Sequence, residues 1–202
     1  MKDFGFYLVI TNPVVGYARC AEAAVRAGVR IVQLRMKHAT REDILREARE
    51  MRRVTRGTDT LFIVNDDPAL AAEAEADGVH VGQDDMSPAE VRAKFPQLKV
   101  VGLSTHNLDQ VRGSWDQPID YIGVGPVYAT PTKDIPDPTL GPEMAGRMIA
   151  AARVPAVAIG GINAETLPPV LAAGARNFAV VRAVCQSQDP YSAICKLLEI
   201  HA

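Results

Sequence analysis

Three cysteines in 202 residues, Cys20, Cys185 and Cys195, with no CxxC pair among them, exclude a disulfide framework and a cysteine-built zinc site. Each lies in an apolar or helix-like context and reads as buried filler. Long apolar runs are missing as well: none reaches the roughly 18 to 20 residues needed to span a bilayer. The opening Met1-Lys2-Asp3-Phe4-Gly5-Phe6 lacks the apolar core of a signal peptide and runs into a strand, so the cytoplasm is the expected compartment. Nor is one sign of charge in excess. Twenty-two basic against 24 acidic residues give a net charge of −2, which offers no basic face for nucleic acid or an anionic membrane. No linker, low-complexity tract or charge run divides the chain, and one domain over residues 1–202 is expected.

What the chain does have is a repeat. Short runs rich in Val and Ile recur every 20 to 30 residues or so, each followed by a segment of helical period. Strands are expected at 6–11, 31–35, 61–65, 78–82, 99–105, 121–127, 156–161 and 177–183. Their nearly uninterrupted apolar character suits parallel strands covered on both faces. Between them, residues 41–55 carry Ile44, Leu45, Ala48, Met51 and Val54 on one stripe. Thr40 with Asp43, Ser87-Pro88, and Asn163 ahead of Pro168 read as helix starts; Ala27-Gly28 and Ala173-Gly174 read as helix ends. Eight alternating units predict a single (β/α)₈ barrel, the TIM-barrel fold, with an open doubly wound sheet as the structural alternative. The one long loop, 129–139, holds Pro131, Pro136 and Pro138 and reads as a lid over the barrel mouth.

Polar residues gather at the C-terminal ends of these strands, where this fold places its active sites. In Gln33-Leu34-Arg35-Met36-Lys37, strand alternation sends Gln33, Arg35 and Lys37 to one face and Leu34 and Met36 to the other. Asn65-Asp66 and Gly82-Gln83-Asp84-Asp85 close consecutive strands, so their carboxylates can converge. Asp66 and Asp85 then read either as ligands for magnesium, which takes one or two carboxylates plus water and phosphate oxygens, or as helix caps. Gly160-Gly161 reads as a phosphate cradle or as a plain tight turn. Thr130-Pro131-Thr132-Lys133 offers two hydroxyls and an ammonium to an anion. His106 ends strand five and is a candidate base or a helix-start residue; His80 reads as a hydrogen-bonded core histidine.

In order, these segments together with Gly102-Leu103-Ser104-Thr105-His106, Gly123-Val124-Gly125-Pro126 and Ala158-Ile159-Gly160-Gly161-Ile162 resemble the thiamine phosphate synthase family from about Tyr7 to Ala183. The resemblance implies an enzyme, a transferase of thiamine biosynthesis. It joins a hydroxymethylpyrimidine diphosphate to a thiazole phosphate (with or without its carboxylate), releasing pyrophosphate with magnesium as cofactor. It implies small-molecule partners and is compatible with a homo-oligomer. By position, Gln33, Arg35, Lys37, Asn65, Ser104 and Lys133 match the pyrimidine diphosphate site, with Arg35, Lys37 and Lys133 as the catalytic cations. Asp66 and Asp85 match magnesium ligands, Thr130 and Thr132 match side-chain contacts to the thiazole phosphate, and Gly161, Val181 and Arg182 match its backbone donors. Two residues depart from the pattern: Met36 stands where Glu is common, and Arg182 where Ser is usual. The competing functions are a thiazole tautomerase of the sister group, which lacks the GQxD acidic pair and the TPTK loop present here, and a non-catalytic sensor of thiamine-pathway phosphates.

Overall fold

A computed structural model describes residues 3–130 and 138–201 of the chain. Eight parallel strands close into a barrel in sequence order, with β8 returning to pair with β1. The strands are β1 (Phe6–Ile10), β2 (Ile31–Leu34), β3 (Leu61–Asn65), β4 (Gly78–Val81), β5 (Val100–Thr105), β6 (Tyr121–Val124), β7 (Ala156–Ile159) and β8 (Asn177–Val180). Between and after them run α1 (Tyr17–Arg26), α2 (Arg41–Thr55), α3 (Pro68–Glu73), α4 (Pro88–Lys94), α5 (Leu108–Gly113), α6 (Gly141–Ala151), α7 (Leu167–Ala172), α8 (Arg182–Cys185) and α9 (Pro190–His201). The expected barrel is the fold observed, and the open sheet is excluded by the β1–β8 ladder.

Strand alternation sorts the apolar residues into two layers. Tyr7, Val9, Ile31, Ile63, Val100, Tyr121, Val157 and Ala179 fill the barrel interior. Their sequence neighbours Phe6, Leu8, Val32, Phe62, Val101, Ile122 and Phe178, with Val79 of β4, pack outward beneath the helices. Met36 belongs to this outer layer, as the alternation at 33–37 requires. At the bottom of the barrel, one polar residue at the entry of each of three strands clamps the neighbouring strand. Asp77 accepts from the Phe62 N–H (2.8 Å) and Arg52 (2.9 Å). Asp120 accepts from the Val101 N–H (2.7 Å) and Arg92 (2.6 Å), and Asn177 from the Phe4 and Gly5 N–H groups (2.7 and 3.0 Å).

Helix α2 has the expected bounds and is capped by Thr40, whose side chain accepts from the Asp43 N–H. Ser87 and Glu90 form a full capping box on α4. Ala27 and Ala173 end α1 and α7, each followed by a glycine of positive φ. Asn163 does not open α7. Its carboxamide accepts from the Glu165 and Thr166 N–H groups, a turn closed on itself, and the helix begins only at Leu167. Several strands stop earlier than expected. β8 ends at Val180 because Arg182–Cys185 turns helical, and β6 ends at Val124 ahead of Gly125-Pro126. Residues 131–137 of the expected lid lie outside the described residues.

Candidate active site

A cavity of about 460 Å³ opens at the C-terminal ends of the strands, lined from every strand of the barrel. Gln33 and Arg35 reach it from β2 and just beyond, Asn65 from β3, His80 from β4, Ser104 from β5, and Val181 and Arg182 from the end of β8. Thr130 and Gly161 line its other wall. The alternation at 33–37 is therefore realised: Gln33 is 4% exposed and donates through Nε2 to the Tyr7 hydroxyl at 2.7 Å. Thr132 and Lys133, expected at the same site, fall outside the described residues.

Lys37, Asp66 and Asp85 are not among the residues lining this cavity; Lys37, two residues beyond Arg35, makes a salt bridge from Nζ to Asp66 Oδ2. The ambiguity over the two carboxylates is resolved against capping. α3 is capped by Asp67, whose side chain accepts from the Leu70 N–H at 2.8 Å, and α4 by Ser87. That leaves Asp66 and Asp85 as neighbours. Asp66 takes a left-handed backbone (φ 63), which asparagine and aspartate tolerate best after glycine, and its N–H donates to the His80 carbonyl at 2.8 Å. Asp85 Oδ2 accepts from the Gly82 N–H at 2.7 Å. A Cβ on Gly82 would lie 3.0 Å from that oxygen, so glycine lets the carboxylate come this close. Partial desolvation and the adjacent Asp66 carboxylate raise the Asp85 carboxyl above its ordinary value, against the opposing pull of the Gly82 N–H and Lys37. Among the described residues, no group of three or more His, Cys, Asp or Glu side chains could hold a metal by itself. A cation here would have to complete its shell with water or ligand oxygens.

Gly160 and Gly161 both have positive φ (105 and 66), and a Cβ on Gly161 would meet the Tyr128 Cβ at 2.7 Å and the Ala129 carbonyl oxygen at 3.0 Å. The tight turn thus requires glycine for packing alone, whatever it also binds. His106 is turned toward the Gly125 carbonyl, with Nδ1 2.6 Å from the oxygen, and its imidazole lines the cavity. At the cavity floor lie residues that strand periodicity assigns to the core. Tyr7 and Tyr121 share a 2.9 Å hydrogen bond, and His80 bridges Tyr121 (3.0 Å) to Ser104 (2.9 Å). Their polar atoms sit in otherwise apolar strands. The sequence signal was Gly102, a mid-strand glycine between them, where a Cβ would fall 2.2 Å from Tyr121 Cζ and 2.5 Å from His80 Nδ1.

The family model described as Thiamine monophosphate synthase matches residues 6–184. A thiamine-phosphate synthase of Synechococcus sp. (strain WH7803) is 45% identical over 179 residues, covering 89% of this chain and 50% of that protein. One from Archaeoglobus fulgidus is 36% identical over 202 residues, covering 99% of this chain and 95% of that protein. The chain spans about half the length of the cyanobacterial relatives it matches. Among solved structures, a thiamine phosphate pyrophosphorylase from Pyrococcus furiosus superposes with a TM-score of 0.89 at 28% identity, covering 98% of this chain and 96% of that one. A 3-hexulose-6-phosphate synthase, at 20% identity and a TM-score of 0.71, shares the fold alone. With the match running from β1 into α8, the chain belongs to the thiamine monophosphate synthase family.

Proposed function

We propose that the chain is a thiamine phosphate synthase, joining an aminopyrimidine diphosphate to a thiazole phosphate and releasing pyrophosphate. The observation that carries this reading is the convergence of Asp66, Asp85 and Lys37, next along the chain to Asn65 and Arg35, which line the cavity. Neither carboxylate caps a helix, and burial together with Asp66 raises the cost of ionising Asp85. Two hard oxygen donors held together with room for further oxygens suit magnesium, which commonly binds through one or two carboxylates and a substrate's phosphates. When bound, the ion would neutralise part of the diphosphate charge and help pyrophosphate depart.

The rest of the work falls to the chain itself. Arg35 and Lys37 present cations to a leaving group whose charge grows as its carbon–oxygen bond breaks, so their stabilisation is largest in the transition state. Gln33, Asn65 and Ser104 hold the pyrimidine ring, and Thr130 with the Gly161 turn and the Val181–Arg182 backbone holds the thiazole phosphate. The two substrates are then oriented for the thiazole nitrogen to take the pyrimidinylmethyl carbon, a contribution of positioning rather than of a covalent enzyme nucleophile. Lys133 and Thr132 complete the set by sequence resemblance. Incubating the protein with both substrates and magnesium, and detecting thiamine phosphate by mass together with released pyrophosphate, tests the reading. Loss of pyrophosphate without a thiamine product, or no turnover at all, would overturn it.

A further inference from the structure

The buried and half-buried polar groups of the cavity floor form one continuous path. Gln33 Nε2 donates to the Tyr7 hydroxyl (2.7 Å), Tyr7 meets Tyr121 (2.9 Å), Tyr121 meets His80 Nδ1 (3.0 Å), and His80 Nε2 meets the Ser104 hydroxyl (2.9 Å). These residues come from β2, β1, β6, β4 and β5, so the path crosses the barrel interior. Burial pushes both phenols above their ordinary value, so they remain O–H donors. With the Gln33 amide nitrogen facing Tyr7, counting donors sets the direction. An amide nitrogen can only donate, so Tyr7 accepts from Gln33 and must pass its own hydrogen to Tyr121. Tyr121 passes its hydrogen to His80 Nδ1, which places the imidazole hydrogen on Nε2, aimed at the Ser104 oxygen. Gln33 Oε1 and the Ser104 hydrogen are the two ends left for a ligand.

We propose that Tyr7, Tyr121 and His80 act as positioning residues, a one-directional relay that holds Gln33 as an acceptor and Ser104 as a donor and so selects an aminopyrimidine over its oxo counterpart. An aminopyrimidine brings the matching groups: N–H donors on its exocyclic amine and unprotonated ring nitrogens. In the 4-oxo analogue the amine becomes a carbonyl acceptor and the adjacent ring nitrogen a donor, so both ends face the wrong partner. The relay has a single self-consistent alternative, in which every hydrogen bond reverses together. One end therefore cannot turn over to suit the oxo ring unless the whole path does. Leaving such buried groups unpaired is the strongest means a site has of rejecting a near-isostere. Gly102 is the space the relay requires, since any side chain there would collide with both Tyr121 and His80.

This inference rests on Gln33 and Ser104 being the pyrimidine contacts of the proposed function. The test measures kcat/KM for the aminopyrimidine diphosphate and for its 4-oxo analogue in the unaltered protein, in Tyr121→Phe and in Tyr7→Phe. Both substitutions keep the ring and its packing and remove only the relay hydroxyl. The expected result is a preference for the amino substrate that narrows by about tenfold or more in each variant, equivalent to about 1.4 kcal/mol of lost discrimination. The KM for thiazole phosphate should stay unchanged. An equal fall for both pyrimidines, with their ratio preserved, would show a packing role only and overturn the proposal; so would an unaltered protein that prefers the oxo ring, the signature of the reversed path. If a variant binds but does not turn over, calorimetric affinities for the two diphosphates read the same ratio. Failure of the unaltered protein to form thiamine phosphate would refute the proposed reaction, while the two binding affinities would still judge the relay.

Discussion

Replacing Asp85 by Asn should separate what the carboxylate does for chemistry from what it costs the fold. In the metal-free protein its carboxyl is raised by partial desolvation and by Asp66. The folded state therefore holds the Asp85 proton more tightly than the unfolded state does, and the ionised form is a destabilising element at neutral pH. Asn retains an oxygen to accept from the Gly82 N–H, now 2.7 Å from Oδ2, and removes the repulsion with Asp66. Metal-free D85N should then melt at the same temperature as the parent or slightly above, within about 1 kcal/mol, the usual range for relieving an unfavourable surface charge. Any advantage should shrink as pH falls from neutral through the raised Asp85 range, because the parent then protonates the same group. Activity should move the other way. A neutral amide is a poor magnesium ligand, and losing one preorganised charge-stabilising group typically costs about 10²- to 10³-fold in turnover, or about 2.7 to 4 kcal/mol. Initial rates of pyrophosphate release across a magnesium titration, alongside thermal melts in chelator, measure both effects. A D85N variant with parental rates at limiting magnesium would refute the ligand assignment. A metal-free melting temperature lowered by several degrees would show that the carboxylate is structural instead.

Gly82→Ala places a Cβ 3.0 Å from Asp85 Oδ2, and should raise the magnesium concentration required for half-maximal rate while leaving the metal-free melt close to the parent's. Arg182→Ser should leave an active enzyme whose thiazole phosphate affinity, read by calorimetry, is roughly tenfold weaker, since a desolvated guanidinium–phosphate hydrogen bond is worth about 1.5 to 3 kcal/mol; equal or tighter binding would show that Arg182 makes no phosphate contact. Lys133→Ala should lower kcat far more than it changes the KM for thiazole phosphate, because its ammonium is expected at the departing pyrophosphate; a raised KM at unchanged kcat would contradict that role. Asp120→Ala, at the opposite end of the barrel, strips the Val101 N–H of its side-chain acceptor and Arg92 of its carboxylate partner, leaving Arg92 the Pro118, Leu98 and Lys99 carbonyls. It should cost about 2 to 3 kcal/mol, a fall of about 4 to 12 °C in melting temperature for a chain of this size, with kcat at 25 °C intact.

The barrel was legible because its two apolar layers use the same residue types. A strand covered on both faces has no polar side to interrupt it, so Leu61–Asn65 and its counterparts stand out as unbroken runs. Strand ends were less legible for the same reason. Residues such as Val127 and Val181 continue the apolar composition after the ladder has stopped, since they pack into the core from the loops. The cavity residues on β2, β3 and β5 were readable as polar groups where a buried run should continue. Capping was harder, because Asn65-Asp66-Asp67 offers several acceptable caps in a row and only the backbone turn decides among them. Tyr7 and Tyr121 fall within expected buried strands and are buried, while His80, expected as a hydrogen-bonded core histidine, is half-buried. That their polar atoms meet depends on long-range pairing, with His80 and Tyr121 both opposite Gly102, and no local pattern carries it.

That same run shows how consecutive residues receive different tasks. Asn65 ends β3 pointing into the cavity, and Asp67 turns outward to cap α3. Asp66 lies between them in a left-handed conformation that costs on the order of 1 kcal/mol for a residue other than glycine. The cap on α3 contributes about as much in the opposite direction. The Asp66 N–H is also held by the His80 carbonyl, while the His80 imidazole belongs to the hydrogen-bonded floor between Tyr121 and Ser104. One residue of β4 therefore fixes the carboxylate pair through its backbone and the ring-facing hydroxyl of Ser104 through its side chain. On the proposed function the bond that breaks lies between these two features, joining the pyrimidine's methylene carbon to the diphosphate. A shared support of this kind keeps leaving-group stabilisation in register with ring orientation, and such register is what a reaction catalysed by positioning and charge requires. A substitution confined to the His80 side chain should accordingly disturb pyrimidine recognition while leaving the Asp66 backbone, and with it the carboxylate pair, in place.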